Sequence, residues 1–278
     1  MQFTKMQAMG NDYIYIDAIH QKVERLSELA KNLSDRHFGI GADGMVLICP
    51  SDIADFRMRI FNPDGMEAQM CGNALRSVGK YVYDHQMTSK TKLRIETMGG
   101  IKELDLSVSN GMVQSIRADL GKPELRASKI PVLTVQKDFI RQKIFVFDTS
   151  FIVTALSWGN PHAVIFTDDV DKIDIAKYGR AIEHMTSLFP EKTNVTFVQY
   201  GRGGSVKIRE WERGTGETIS CGTGCCSAVV AGVMEGLCGR STVVEQTGGS
   251  LYVEWEKRTN HVFLTGPSKV VFEGKIDA

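Results

Sequence analysis

The sequence predicts an α/β (α+β) protein built from two similar halves of mixed sheet and helix. Three observations carry that prediction. Blocks of similar residues recur in the same order about 150 positions apart in a chain of 278. Short runs rich in β-branched and aromatic residues alternate with apolar residues at helical spacing. In each half, a Cys-Gly dipeptide opens a run of small and apolar residues that reads as a helix.

In the first half "DYIYID", "MVLI", "FRMRIF" and "KLRIET" read as short strands, and Val23, Leu26, Leu29 and Leu33 share one face of a helix. "NALRSVGKYVYD", after Cys71-Gly72, reads as a second helix. Gly and Pro then interrupt the pattern in "DLGKPELRAS" (Asp119–Ser128), which marks a domain boundary. In the second half "AVIF", "VTFVQ", "VKIREW" and "LYVEW" read as strands. Ile175, Tyr178, Ile182 and Met185 have helical spacing, and "TGCCSAVVAGVMEG" continues from Cys221-Gly222 as a helix.

The repeat is visible residue by residue. Phe56–Ser77 ("FRMRIFNPDGMEAQMCGNALRS") lies on Val206–Ser227 ("VKIREWERGTGETISCGTGCCS"). Arg59 then matches Arg209, Phe61 matches Trp211, Glu67 matches Glu217, Cys71 matches Cys221, and Ser77 matches Ser227. Upstream, "MGNDYIYID" matches "WGNPHAVIF" at an offset of 149, and "GADGMVLI" matches "EKTNVTFV". Downstream, "ETMGGIKELDL" resembles "EQTGGSLYVEW".

Composition narrows the function classes. Lys plus Arg and Asp plus Glu both number 33, so the formal net charge is zero. A nucleic-acid footprint or an anionic membrane surface calls for a surplus of positive charge, so the expected partner is a small molecule. "MQFTKMQAMGND" lacks the basic-then-apolar run of a secretory signal, and no segment reaches the roughly 18 apolar residues of a membrane span. The expected compartment is the cytoplasm. Six cysteines in such a chain suit buried thiols, metal ligands or a catalytic thiol better than a disulfide framework. Cys221, Cys225 and Cys226 have no nearby CxxC or HxxxH partner, so no metal site is expected.

A cysteine at a helix start has chemistry available to it. The first turn leaves backbone N–H groups unpaired and carries partial positive charge, which stabilises a thiolate. Gly72 and Gly222 let an anion approach the same donors. A lone Cys-Gly is most often buried packing, but two at equivalent positions of a duplicated fold point to a pair. An approximate twofold would bring both helix starts to one interdomain cleft. One thiolate would remove a proton from a substrate carbon while the opposite thiol delivers one, the design of a racemase or epimerase. One thiolate also disfavours ionising its neighbour. A disulfide oxidoreductase is disfavoured because CxxC is absent.

The mismatches between the halves bear on the substrate. Asn11 matches Asn160, whereas Asn62 faces Glu212, Asn73 faces Thr223, Gly44 faces Asn194 and Pro63 faces Arg213. Arginine grips a carboxylate through two parallel hydrogen bonds, so Arg213 is expected to hold a second carboxylate away from the reacting carbon. His162 and Glu212 are placed to tune a thiol.

At these residues the chain resembles the diaminopimelate epimerases, cofactor-independent enzymes of lysine and peptidoglycan biosynthesis. The resemblance rests on "MGNDY", "GIGADG", "FRMRIFNPDG", "MCGN", "GNPHAV", "NVTFV", "WERGTGET" and "CGTG". It implies two α/β domains, each a barrel-like sheet around a central helix, in a homodimer without pyridoxal phosphate or metal. It implies domains at 1–119, completed by 267–278, and at 120–266. It implies that Cys71 and Cys221 are the two bases interconverting the LL and meso forms of 2,6-diaminopimelate. Asn11, Asn62, Gly72, Asn73, Asn160, Asn194, Glu212, Arg213, Gly222 and Thr223 would line the substrate site, with His162 and Glu212 modulating the thiols. Asn62, Asn160, Asn194 and Arg213 would fix the distal, non-reacting centre. The chain departs from the family pattern at Gly44, where some members carry Gln, and at Ala74, Ser77, Cys225 and Cys226. Relatives on the same pattern racemise other amino acids, histidine among them, so that alternative stays open here.

Overall fold

The computed structural model describes residues 1–201 and 204–277. The chain forms β1 (Gln2–Ala8), β2 (Asn11–Asp17), α1 (Leu26–Ser34), β3 (Met45–Cys49), β4 (Phe56–Phe61), β5 (Glu67–Ala68) and α2 (Gly72–Asp84). These are followed by β6 (Lys92–Thr97), β7 (Gly100–Ser109) and β8 (Met112–Asp119). Next come β9 (Gln142–Val146), β10 (Thr149–Ser157), β11 (Pro161–Phe166), α3 (Ile175–Glu183), β12 (Asn194–Tyr200), β13 (Val206–Glu212) and β14 (Gly216–Thr218). Last are α4 (Gly222–Met234), β15 (Ser241–Gln246), β16 (Gly249–Trp255), β17 (Val262–Gly266) and β18 (Lys269–Lys275). Two compact units divide them: Met1–Asp119 with the segment from Thr265 onward, and Leu120–Leu264. Among the described residues no helix is long and apolar enough to cross a membrane.

In the first unit the strands pair in the order β18-β1-β2-β3-β4-β6-β7-β8, with β2–β3 and β4–β6 parallel and the other pairs antiparallel. The sheet wraps α2, which packs on β1, β2, β7 and β8. Every residue of α2 from Asn73 to Val82 is buried, the mark of a helix enclosed on all sides. Leu75 and Val78 from α2 meet Tyr15, Val46, Met58, Ile95, Leu104 and Ile116 from the strands in one core. Burial of each such aliphatic side chain stabilises by about 1.5–3 kcal/mol. The helix also buries charge. The Lys80 ammonium meets Asp84 at 2.7 Å and donates to the Val113 carbonyl at 2.7 Å. On the outer face Ala30 and Leu33 of α1 cover Ile14, Ile16, Met45 and Leu47.

The second unit repeats that order as β9-β10-β11-β12-β13-β15-β16, with β11–β12 and β13–β15 parallel. Its enclosed helix is α4, buried from Gly224 to Gly232. On the outside lies α3, whose N-terminus is capped by the Asp174 carboxylate accepting the Lys177 N–H at 3.0 Å. Both halves brace the hairpin before the cysteine in the same way. Arg59 grips Glu67 at 2.8 and 2.7 Å, and Arg209 reaches Glu217 at 2.9 and 2.7 Å. The duplicated α/β architecture with a central helix in each half is thus the one the repeat predicts. The edge strand beside β1 is β18 from the far end of the chain, whereas β10 is flanked by its sequence neighbour β9.

Candidate active site

Each Cys-Gly forms a helix start. Cys71 is extended (φ −136°, ψ 122°) and its carbonyl accepts the Leu75 N–H at 2.9 Å, the first bond of α2. Cys221 is extended as well (φ −132°, ψ 108°), and its carbonyl accepts the Cys225 N–H at 3.1 Å. A Cβ built at Gly72 would have open space around it. Packing therefore does not demand a glycine there, and the first-turn amides beside it are approachable.

Around Cys71 the sequence-expected residues Asn11 and Asn73 come together. The thiol donates to Asn11 Oδ1 at 3.4 Å, and Asn73 Nδ2 donates to the same oxygen at 3.3 Å. The orientation of Asn11 is set from behind, because its Nδ2 donates to Asp43 at 2.8 Å. Asp43 in turn is held by Arg36 at 2.8 Å. Asn73 Oδ1 accepts from Arg76 at 2.7 Å, which fixes that side-chain amide too. Tyr13 is also here, its phenol hydrogen-bonded to Cys71 and Asn11. Burial, and then the neighbouring Cys71, hold the Tyr13 phenol well above the usual range. At Gly44, a Cβ would collide with the Phe61 carbonyl oxygen and with the Tyr13 ring at 2.9 Å. No side chain fits there, so Gly44 offers only backbone to the site.

Around Cys221 the structure gathers Thr223, His162, Asn194 and Arg213. The thiol accepts the Gly224 N–H at 3.3 Å and lies 3.5 Å from Thr223 Oγ1. His162 Nε2 lies 3.0 Å from Thr223 Oγ1 and 3.3 Å from Asn194 Nδ2. Asn194 Oδ1 accepts the Arg213 backbone N–H at 2.7 Å. The exposed Arg213 guanidinium is tethered to the Glu191 carbonyl at 3.0 Å. Glu212 accepts the Thr218 hydroxyl at 2.6 Å and hydrogen-bonds Cys221. Burial raises its carboxyl above the usual range.

One expectation is corrected here. The helix start alone predicts a thiol with a lowered pKa, yet the Cys221 thiol lies well above its ordinary value. Burial is the largest cause, followed by the charges of Glu212 and Glu210. The Thr223 hydroxyl and the Gly224 N–H favour the thiolate but are outweighed.

Asn62 and Asn160 sit in turns, their carbonyls accepting from Gly65 at 2.9 Å and Trp158 at 3.3 Å. Among the described residues neither side chain hydrogen-bonds to a cysteine cluster. Gly222 opens α4 as Gly72 opens α2. Reading the sequence missed Tyr13, Asp43 and Glu210. Tyr13 and His162 match in the repeat already used for Asn11 and Asn160, so that signal was present. Among the described residues no group of three or more His, Cys, Asp or Glu side chains is placed to hold a metal ion.

Comparison with known proteins identifies the family. The family described as Diaminopimelate epimerase matches residues 3–125 and 154–271. A Methanococcus maripaludis (strain C5) protein named diaminopimelate epimerase is 50% identical over 277 residues, covering 100% of both chains. One of the same name from Acetivibrio thermocellus is 48% identical, covering 100% of this chain and 99% of its own. Among solved structures, a hydroxyproline epimerase from Agrobacterium vitis superposes with TM-score 0.72 at 14% identity, covering 99% of this chain and 90% of that one. A Bacillus anthracis phenazine biosynthesis protein of the PhzF family gives TM-score 0.70 at 18% identity, covering 100% and 99%. At those identities the two structures share only the fold. Full-length identity near one half, with the family match over both units, places the chain in the diaminopimelate epimerase family.

Proposed function

We propose that this protein is a diaminopimelate epimerase that interconverts LL- and meso-2,6-diaminopimelate, with Cys71 and Cys221 as its two bases. The observation that carries the reading is the pair of equivalent cysteines, each at the start of an enclosed helix, Cys71 joined to Asn11 of β2 and Cys221 to Thr223 of its own helix and to Glu212 of β13. In one direction, one cysteine takes the α-proton as thiolate while the other gives up its thiol proton to the opposite face; the reverse direction exchanges the duties. The carbanion-like charge that develops is spread toward the α-carboxylate. Backbone N–H groups at the α2 and α4 starts (Gly72 with Asn73, Gly222 with Thr223) would hold that carboxylate. The Arg213 guanidinium would grip the distal carboxylate, with Asn62, Asn160 and Asn194 around the distal amine. By the same family resemblance the enzyme works in the cytoplasm on a precursor of lysine and peptidoglycan. It works as a homodimer, which sedimentation would report as twice the chain mass.

The decisive experiment follows solvent deuterium into LL-diaminopimelate. Loss of a positioned acid or base costs about 10²–10⁴-fold in rate, so C71A and C221A are each expected to fall by at least that much in inversion. Full turnover by either variant would rule out the two-base reading. Turnover of other L-amino acids in preference to diaminopimelate would point instead to a racemase on the same fold.

A further inference from the structure

Asn194 sets the direction of a hydrogen-bond chain that runs from Cys221 to a buried carboxylate. Asn194 Oδ1 accepts the Arg213 backbone N–H at 2.7 Å, so the other end of the amide, Nδ2, is what faces His162 Nε2 at 3.3 Å. An amide nitrogen only donates, so Nε2 carries a lone pair and the ring proton sits on Nδ1. Nε2 also meets Thr223 Oγ1 at 3.0 Å, and with Nε2 accepting, the hydroxyl is the donor there. The Thr223 oxygen keeps its lone pairs for Cys221 Sγ at 3.5 Å, which makes the thiol the donor. At the far end, Nδ1–H lies 3.4 Å from Glu210 Oε1.

Glu210 is an unusual residue in this place. It lies on β13, between Thr196 and Thr218 on the flanking strands, and is only 2% exposed. Val206 and Ile208 precede it on the same inward face, and its repeat counterpart is Ile60. Its carboxylate lies against Gly224, where a Cβ would come within 2.8 Å of its Cδ, in the first turn of α4. His162 is fully buried. His162 Nδ1 and both Glu210 oxygens make no hydrogen bond among the described residues, and the nearest approach between them is Nδ1 to Oε1 at 3.4 Å. A buried carboxylate without hydrogen bonds is costly to keep.

We propose that Glu210 is a positioning residue for the Cys221 base: it holds the His162 proton on Nδ1, so that Nε2 receives the Cys221 proton through Thr223. The proposal rests on Cys221 being an acid–base group. The thiol S–H and the Thr223 O–H break while a new Thr223 O–H and an Nε2–H form, so one proton moves from Sγ to the ring. A thiolate and an imidazolium result, and the Glu210 carboxylate faces the imidazolium. The other groups facing this chain are the Glu212 carboxylate and the Gly224 N–H of the α4 start.

The variant E210Q keeps the shape and removes the charge, and the sign of its effect is decisive. Through space alone, the Glu210 charge disfavours a nearby thiolate, so E210Q would make Cys221 more reactive. Through His162, losing Glu210 weakens the acceptor, so E210Q makes Cys221 less reactive. The readout is the iodoacetamide alkylation rate of Cys221 against pH, by peptide mapping without substrate. We expect a roughly tenfold slower rate near neutral pH, equivalent to an upward shift of about one pKa unit, with Cys71 unaffected. An unchanged or faster Cys221 rate overturns the proposal. Alkylation needs no turnover, so this result stands apart from whether diaminopimelate is the substrate. Nitrogen-15 shifts of His162 in the wild-type protein provide a check that needs no variant. An Nδ1-protonated ring is expected, and an Nε2-protonated ring overturns the proposal.

Discussion

Tyr13 and His162 occupy matching places in the repeat, and each stands beside its cysteine with different chemistry. Cys71 donates to an amide oxygen and has a phenol next to it, while Cys221 reaches an imidazole through a hydroxyl. The Cys221 thiol also has its pKa raised, chiefly by burial. A raised folded-state value means that the folded protein keeps this proton to higher pH than the unfolded chain. The resulting stability is fully present below the unfolded thiol pKa of about 8.5 and is lost as pH rises through the folded value. Wild type is therefore expected to lose more thermal stability than C221A between about pH 8 and 10. Parallel melting curves for the two proteins would contradict the raised value. Glu210 was legible in principle, because it interrupts the inward run of Val206 and Ile208 with a carboxylate. What no pattern could supply was the orientation of Asn194, which depends on a backbone N–H across a turn.

Both enclosed helices begin at a cysteine, yet they solve the problem of burial differently. Small and apolar residues line α4, as its sequence suggests. In α2 the stretch "LRSVGKYVYD" carries Arg76 and Lys80 into the core. Helical periodicity says which residues share a face but not that a sheet closes over all faces, so the two cations could not be placed from sequence. Lys80 and Asp84 together satisfy both backbone polar groups of Val113 on β8: the ammonium donates to its carbonyl at 2.7 Å, and Asp84 accepts its N–H at 3.0 Å. K80A leaves that carboxylate buried without its cation and is expected to cost about 3–5 kcal/mol in urea unfolding. The half-exposed Arg59–Glu67 pair is worth less, so R59A is expected to cost under about 1 kcal/mol. Equal costs for the two variants would show that the Lys80 pair is not acting as a buried one.

At the scale of the molecule, an offset near 150 residues in the sequence becomes the same strand order written twice. The duplication was legible because each copy keeps its hairpin arginine, its glutamate and its cysteine. The edge strand was not legible from the repeat, since β18 has no counterpart at that offset and takes beside β1 the place that β9 takes beside β10. Ser268, in the same returning segment, meets Ser77 of α2 at 2.7 Å. A chain ended at Gly266 loses that contact and one of the two strand partners of β1. We expect its Cys71 to become rapidly alkylated while Cys225 and Cys226, fully buried in α4, stay protected. Unchanged Cys71 labelling would mean that β18 is dispensable to the unit it borders.

That borrowed strand also has a consequence during synthesis. The amino group of Met1 donates to the Ile276 carbonyl at 2.6 Å, so segments translated about 275 positions apart end side by side. At roughly 5–20 residues per second, β1 waits on the order of 15–50 seconds for its neighbour to be translated. The half encoded second has its own edge strand in hand and is the first able to finish. Until β18 is translated, the half encoded first carries a bare strand edge, the feature of a nascent chain most open to pairing with the wrong partner.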